Sequence, residues 1–500
     1  MNPRGVLVVC AVVLLAPGCD VKRLSRELVP TDRVASIDHR APYLKAHLRD
    51  GRVLVLSGWN ADTLARSVKG TGRMLGVNRD VIAEGELAVA LDSVALFETN
   101  VVHRAPAVGA LAVLTGASLA LSAYCAANPK ACFGSCPTFY AFDGSGPRLQ
   151  AEGFSASVLP ALEATDVDAL WRVPPPRGDF VVRMTNEAYE THVVRHVHLL
   201  AVPHAAGERA FAVPGDRFER GRLLGPPARC VGPEGDCTSA LRAFDGIERS
   251  SLADSTDLAA RETLELEWTN PGEGTFGLVL ARRQTLLSTY LFYQALAYMG
   301  RSAGDMLATL ERGGRRSGGW APALGGIEVF VEDGRGGWIR AGEDGETGPL
   351  ASDVRMVPLP RVPGTPLRIR LRLTRGLWRL DWVALARRTG SVEPVRIKPY
   401  ALTRADGAPV AAIDAQLVTF PGDEYDFRFV VPPGPHELFL ESRGYYLEWM
   451  RDEWLAEEDP VGAVLMLARP EDALRRLAPG FKAQESGMER AFWSSRYARP

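Results

Sequence analysis

Leu367-Arg-Ile-Arg-Leu-Arg-Leu-Thr374 and Trp378-Arg-Leu-Asp-Trp-Val-Ala-Leu385 decide the fold class. Apolar side chains alternate with arginine through the first stretch and through the opening of the second. A period of two puts the apolar groups on one face of a β-strand and the charges on the other. Each stretch therefore reads as a strand with one buried and one wet side. Gly326-Ile-Glu-Val-Phe-Val-Glu-Asp333-Gly334 alternates in the same way and runs into an Asp-Gly turn signal. Such strands in succession predict a β-sandwich over 321–390.

Working outward, the same period recurs. Phe180-Val-Val-Arg-Met-Thr-Asn186 and Thr191 to Val202 alternate as strands, and Pro137-Thr-Phe-Tyr-Ala-Phe-Asp143-Gly144 reads as a strand entering a turn. Leu44 to Leu48 and Arg52 to Leu56, joined at Asp50-Gly51, predict a hairpin, with more strand from Glu86 to Thr99. Ala105 to Asn128 carries no charged side chain and reaches the length of a membrane span. A buried or membrane-apposed helix and a true span both stay open there. Gln284 to Glu311 is helical in pattern and breaks near Gly300; a Gly-rich linker and further strands follow, with a helical tail expected from Tyr446 onward. The expected class is mainly β (α+β). Its parts are a small β domain over 41–104, a hydrophobic helix over 105–128, a β-rich domain over 129–283, a helical segment and linker over 284–320, a jelly-roll or galactose-binding-like sandwich over 321–390, and a β unit with a helical tail over 391–500.

The start of the chain points to export. Arg4 is its only early charge, Gly5 to Ala16 is apolar, and Leu15-Ala16-Pro17-Gly18-Cys19 closes the run before charge returns at Asp20. About a dozen apolar residues suit a signal core and are too few to span a bilayer. Residues 1–18 are thus expected to be a signal peptide, Cys19 the lipid-bearing residue, and 19–40 a lipid anchor and polar tether. The expected location is the bacterial cell envelope, on the periplasmic face of the inner membrane or at the outer membrane. An apolar content of 46% and a charged content of 24% are ordinary globular values, and a net charge of −2 argues against a nucleic-acid partner. In an oxidising compartment the remaining cysteines favour disulfides. Cys230-Val-Gly-Pro-Glu-Gly-Asp-Cys237 is a tight loop whose ends are expected to close, and Cys132 with Cys136 is the second expected pair, leaving Cys125 over.

Cys136-Pro-Thr-Phe-Tyr-Ala-Phe-Asp-Gly, Leu149-Gln-Ala-Glu-Gly-Phe and Thr185-Asn-Glu187-Ala-Tyr-Glu190-Thr, together with Phe420-Pro-Gly-Asp423-Glu and Ser442-Arg-Gly444-Tyr-Tyr446, resemble a family of uncharacterised bacterial envelope lipoproteins. The resemblance covers about two-thirds of the chain. It implies a β-rich envelope protein and brings no activity or catalytic residues with it.

Three patterns could carry chemistry. Gly300-Arg-Ser302-Ala-Gly304 matches the nucleophile elbow of serine hydrolases, with His436 as the later base and Asp414 or Asp423 to orient it. The segment before it reads as helix, where an elbow needs a strand, so no catalytic residue is expected. Glu190-Thr-His192-Val-Val-Arg-His196-Val-His198 puts four possible ligands on alternate positions of one strand, and His204 follows. That face is read as solvated, with no metal and no other cofactor. Trp320, Trp338, Trp378 and Trp382 could stack on sugar rings if exposed, but Trp378 and Trp382 share parity with Leu380 and are expected to pack inward. The function expected is non-catalytic binding, adhesion or assembly, through an envelope protein or glycan partner, with the membrane engaged by the lipid. The alternatives are an envelope serine hydrolase and a carbohydrate-binding module.

Overall fold

Apolar residues on both faces of a strand require neighbours on both sides, and this fixes the architecture of the larger part of the chain. The computed structural model describes residues 21–496 apart from 30, 42–43, 49–51, 76–80, 106–135, 143–145, 159–161, 172–177, 189, 216, 301–302, 304–305, 307–320, 346–347, 362–364, 411–415, 420–421 and 449–456. The chain divides into two compact units, 1–128 and 129–500.

The first unit is a six-stranded antiparallel sheet, with Val21–Val29 on one edge paired to Val94–Ala105. The expected hairpin is present, with Leu44–Leu48 against Val53–Asp62. Part of the expected polar tether is instead this first strand, because the Val94–Ala105 edge offers it a backbone partner through nine successive residues.

The second unit is mainly β, as alternation predicted, and stacks four sheets around three cores. The first layer holds Thr138–Phe142, Pro147–Glu152, Gly178–Thr185, Ala401–Arg404 and Glu424–Val431. The second holds Ala164–Ala169, Glu190–Pro203, Val395–Ile397 and His436–Glu448, with Leu417–Thr419 also on Glu190–Pro203. The third is built on Arg209–Val213, Asp353–Pro358, Phe276–Gln284 and Trp378–Val392, and Arg217–Gly225 pairs at both ends of it, so the sheet curls back on itself. The fourth holds Arg261–Trp268, Leu367–Thr374, Ile327–Glu332 and Trp338–Asp344.

Side-chain parity shows the stacking directly. In Glu190–Pro203, Leu199 and Ala201 face the first layer while Leu200 and Val202 face the third. In Phe276–Gln284, Leu278 and Leu280 face the fourth layer while Val279 and Ala281 face the second. The fourth layer is outermost. Ile369, Leu371 and Leu373 are buried, and Arg368, Arg370 and Arg372 pair on the wet face with Glu267, Glu265 and Glu328. Helices Leu287–Met299 and Pro470–Arg496 cover one side of the core between the third and fourth layers, with Leu287, Leu291, Leu477 and Phe481 in it. Thr285 Oγ1 accepts the Leu287 N–H at the start of the first helix, and Gly300, at φ +52°, ends it.

This arrangement corrects the expected boundaries. The sandwich of the third and fourth layers draws its strands from 209–392 rather than 321–390, and it is inserted within the other sandwich, whose strands come from 138–203 and 395–448. Residues at the ends of the expected 129–283 and 391–500 segments therefore fold together. Tyr446 lies within the strand His436–Glu448, and the helical tail begins at Pro460, where Asp459 caps the helix by accepting the Gly462 N–H at 2.9 Å. The expected hydrophobic helix falls, beyond Ala105, outside the described residues. No described helix is long and apolar enough to cross a membrane.

Candidate functional site

The histidines of Glu190–Pro203 do not share one face. A register shift between Val194 and His196 puts an extra residue into the strand and inverts its parity. Before it, His192 lies opposite Tyr446 and points into the core below the first layer, where its Nε2 is 2.6 Å from Glu190 Oε1 and both side chains are fully buried. After it, His196 lies opposite Arg443 and His198 opposite Glu441, on the face that continues into Leu200 and Phe439. The expected single solvated face is thus two sites, one sealed and one bordering the surface.

At the second of these, Glu441 Oε1 is 3.0 Å from His198 Nδ1 and 3.4 Å from His196 Nε2. The two imidazoles stack, with centroids 4.4 Å apart and planes 9° from parallel. Arg396 Nη2 donates to the other carboxylate oxygen of Glu441 at 2.7 Å. Burial and the neighbouring His198 hold the His196 imidazole below its ordinary pKa, so its neutral form prevails at pH 7. Burial works to raise the Glu441 carboxyl, but hydrogen bonds from Arg396 and His198 outweigh it and leave it below the usual range. A neutral imidazole beside an ionised carboxylate is a ligand pair that needs no deprotonation. His196 and His198 also border a cavity of about 30 Å³ shared with Arg195, Lys398, Pro399 and Leu402. Glu441 escaped the sequence reading. Its signal was a lone acid within Leu438-Phe-Leu-Glu441, an otherwise apolar run.

Of the proposed hydrolase residues, the described pair His436 and Asp423 stand apart. His436 and Pro203 pair at one end of the two central strands of the second layer. Asp423, whose carbonyl accepts the Asn186 N–H, lies towards the other end, where Glu190 meets Glu448. The strand between is 13 residues long, about 40 Å at ~3.3 Å per residue. Ser302 and Asp414 lie outside the described residues. A fluorophosphonate probe is expected to leave the protein unlabelled. Specific labelling abolished by both Ser302→Ala and His436→Ala would reverse this expectation.

Of the tryptophans, Trp378 is buried against the fourth layer as expected, but Trp382 is buried on the opposite face, against the second. A shift at Asp381, whose carboxylate accepts the Asp245 and Gly246 N–H groups, inverts parity between them. Trp338 lies under the Arg370 guanidinium, 4.0 Å from its ring centroid, and Trp320 is outside the described residues. Cys230 and Cys237 form the expected disulfide at the end of a two-stranded turn. Cys136 is buried with its sulfur 3.6 Å from the Ser155 carbonyl oxygen, while Cys132, its expected partner, and Cys125 and Cys19 lie outside the described residues.

No protein-family model matches the chain, and no curated protein matches it significantly. Among solved structures, the secreted serine protease VesC from Vibrio cholerae aligns over 73% of this chain and 99% of its own at 9% identity and a TM-score of 0.16. The arabinofuranosyltransferase AftD from Mycobacteria aligns over 92% of this chain and 44% of its own, at 9% identity and a TM-score of 0.14. Likenesses this slight bear on neither fold nor activity.

Proposed function

We propose that this chain is a lipid-anchored protein of the bacterial cell envelope whose stacked β-sheets serve binding or assembly rather than catalysis. The observation that carries the reading is the Cys230–Cys237 disulfide, buried at both sulfurs and set into the turn of the outermost sheet. Such bonds persist in exported proteins and are rare in the reducing cytosol. It agrees with the apolar leader that stops at Cys19, where two or more acyl chains give stable anchoring. The resemblance to envelope lipoproteins points the same way.

Metabolic labelling with a palmitate analogue tests the anchor. The wild type is expected to incorporate the label and to partition with membranes, and Cys19→Ala to do neither. Equal labelling of both would remove the lipoprotein reading.

A further inference from the structure

His196, His198 and Glu441 converge from two paired strands. His198 and Glu441 stand directly opposite one another in the register, and His196 is two positions along on the same face. Two imidazoles at i and i+2 of a strand, with a carboxylate from the neighbouring strand, form a donor set of two nitrogens and one oxygen. Each residue offers a ligand atom, and these atoms lie within 4.8 Å of one another. Zinc bonds such atoms at about 2.0–2.1 Å in a tetrahedron, which separates adjacent ligand atoms by roughly 3.3 Å. The observed 3.0 and 3.4 Å separations to Glu441 Oε1 bracket that value.

Three further features fit a cation rather than a simple hydrogen-bond cluster. His196 Nε2 is buried and makes no hydrogen bond among the described residues, although Glu441 Oε1 is 3.4 Å away. A metal between them would satisfy both atoms. Arg396 holds the far oxygen of Glu441, the kind of outer partner that fixes a ligating carboxylate. Two other nearby guanidinium groups are turned away, Arg443 to Glu163 at 2.9 Å and to Thr165, and Arg195 to Glu163 at 3.2 Å.

We propose that His196, His198 and Glu441 bind one divalent transition-metal ion of the zinc class, leaving one position for an exchangeable ligand. Nitrogen and carboxylate donors without thiolate, three in number, match the open sites of this metal rather than its closed structural ones. The inference is independent of the lipid anchor. It replaces the expectation of a solvated, metal-free histidine face, because the strand bulge carries these two histidines towards Glu441 and away from His192.

The test uses the full-length, untagged protein in detergent, stripped with chelator and dialysed against zinc alone or cobalt(II) alone. One equivalent of zinc is expected in the wild type. The cobalt form should show the intense visible bands of a four-coordinate site. His196→Ala with His198→Ala, and separately Glu441→Gln, should lose the equivalent and the bands, while His204→Ala keeps both. Circular dichroism of each variant checks that the β fold is retained. A wild type without stoichiometric zinc would overturn the proposal, and so would zinc retained by the folded double variant. Should Glu441→Gln fail to fold, the His196→Ala single variant decides: undiminished zinc and unchanged cobalt bands would reject the site.

Discussion

Replacing Arg282 by methionine is expected to destabilise the larger unit by about 3–5 kcal/mol, the cost typical of removing one partner from a buried ion pair. Arg282 is completely buried in the strand Phe276–Gln284. Its Nε donates to Asp344 of the fourth layer, and its Nη1 donates to Asp353 within the third at 2.9 Å. Asp353 in turn accepts the Ala169 N–H of the second layer at 2.9 Å, and Arg355 donates to the Val167 carbonyl. One guanidinium thus anchors a chain of charge-assisted bonds across three of the four sheets. Methionine fills much of the volume but leaves two carboxylates facing each other in a dry interior. Burial tends to raise the Asp353 carboxyl, and Arg282 with Arg355 more than offsets this and holds it below the usual range. A depressed folded pKa contributes stability above the unfolded value, near 3.9, and that stability is lost as pH falls through the folded value. The deficit of the variant should therefore be largest at neutral pH and shrink below about pH 4, as Asp353 protonates. Urea unfolding at pH 7 and at about pH 2.5 measures this. An equal deficit at both would mean that the arginine acts through packing alone.

The outer sheet was legible in the sequence because its strands obey the simplest rule. In Leu367–Thr374 the arginines are wet and the leucines dry, so alternation and structure coincide. The middle sheets carry a different signature. Leu278 to Ala281, Val383 to Ala386 and Leu199 to Val202 are apolar at every position, which is how a strand covered on both faces must read. That signature was present, but in Leu199 to Val202 and Val383 to Ala386 alternation upstream in the same strands masked it. Parity failed where a single residue was inserted, at Arg195 and at Asp381, since a bulge flips every later side chain and leaves no mark in composition. Those two shifts moved Trp382 across its sheet and separated His192 from His196. The nesting of one sandwich inside the other was invisible for another reason. Pairing Glu190 with Glu448 spans more than half of the described chain, and no local periodicity reports on a partner so distant. Glu441 became a site residue only through that pairing.

Phe439→Ala should cost about 3–5 kcal/mol, and its more telling effect is expected to be where the loss is felt. Phe439 belongs to the outer, interrupted sandwich, on the strand His436–Glu448, yet it is fully buried in the core shared with the inserted one. Its ring meets Phe218 of the third layer edge to face at 4.9 Å and packs among Val279, Val354 and Trp382. Aromatic truncation there removes transfer energy and opens a cavity between sheets whose other faces are pinned by separate cores, so collapse can refill little of it. The two sandwiches have no chain end between them. The inserted one leaves and rejoins its host through short links, at 204–208 and 393–394, so loosening the shared face loosens both. Amide hydrogen exchange on the full-length protein resolves the consequence strand by strand. Protection is expected to fall by the same free energy in Gly178–Thr185 of the first layer and in Leu367–Thr374 of the fourth, neither of which touches Phe439. Were the loss confined to the strands of 138–203 and 395–448, the inserted sandwich would be an independent folding unit, and the four layers would be two stacked bodies rather than one cooperative stack.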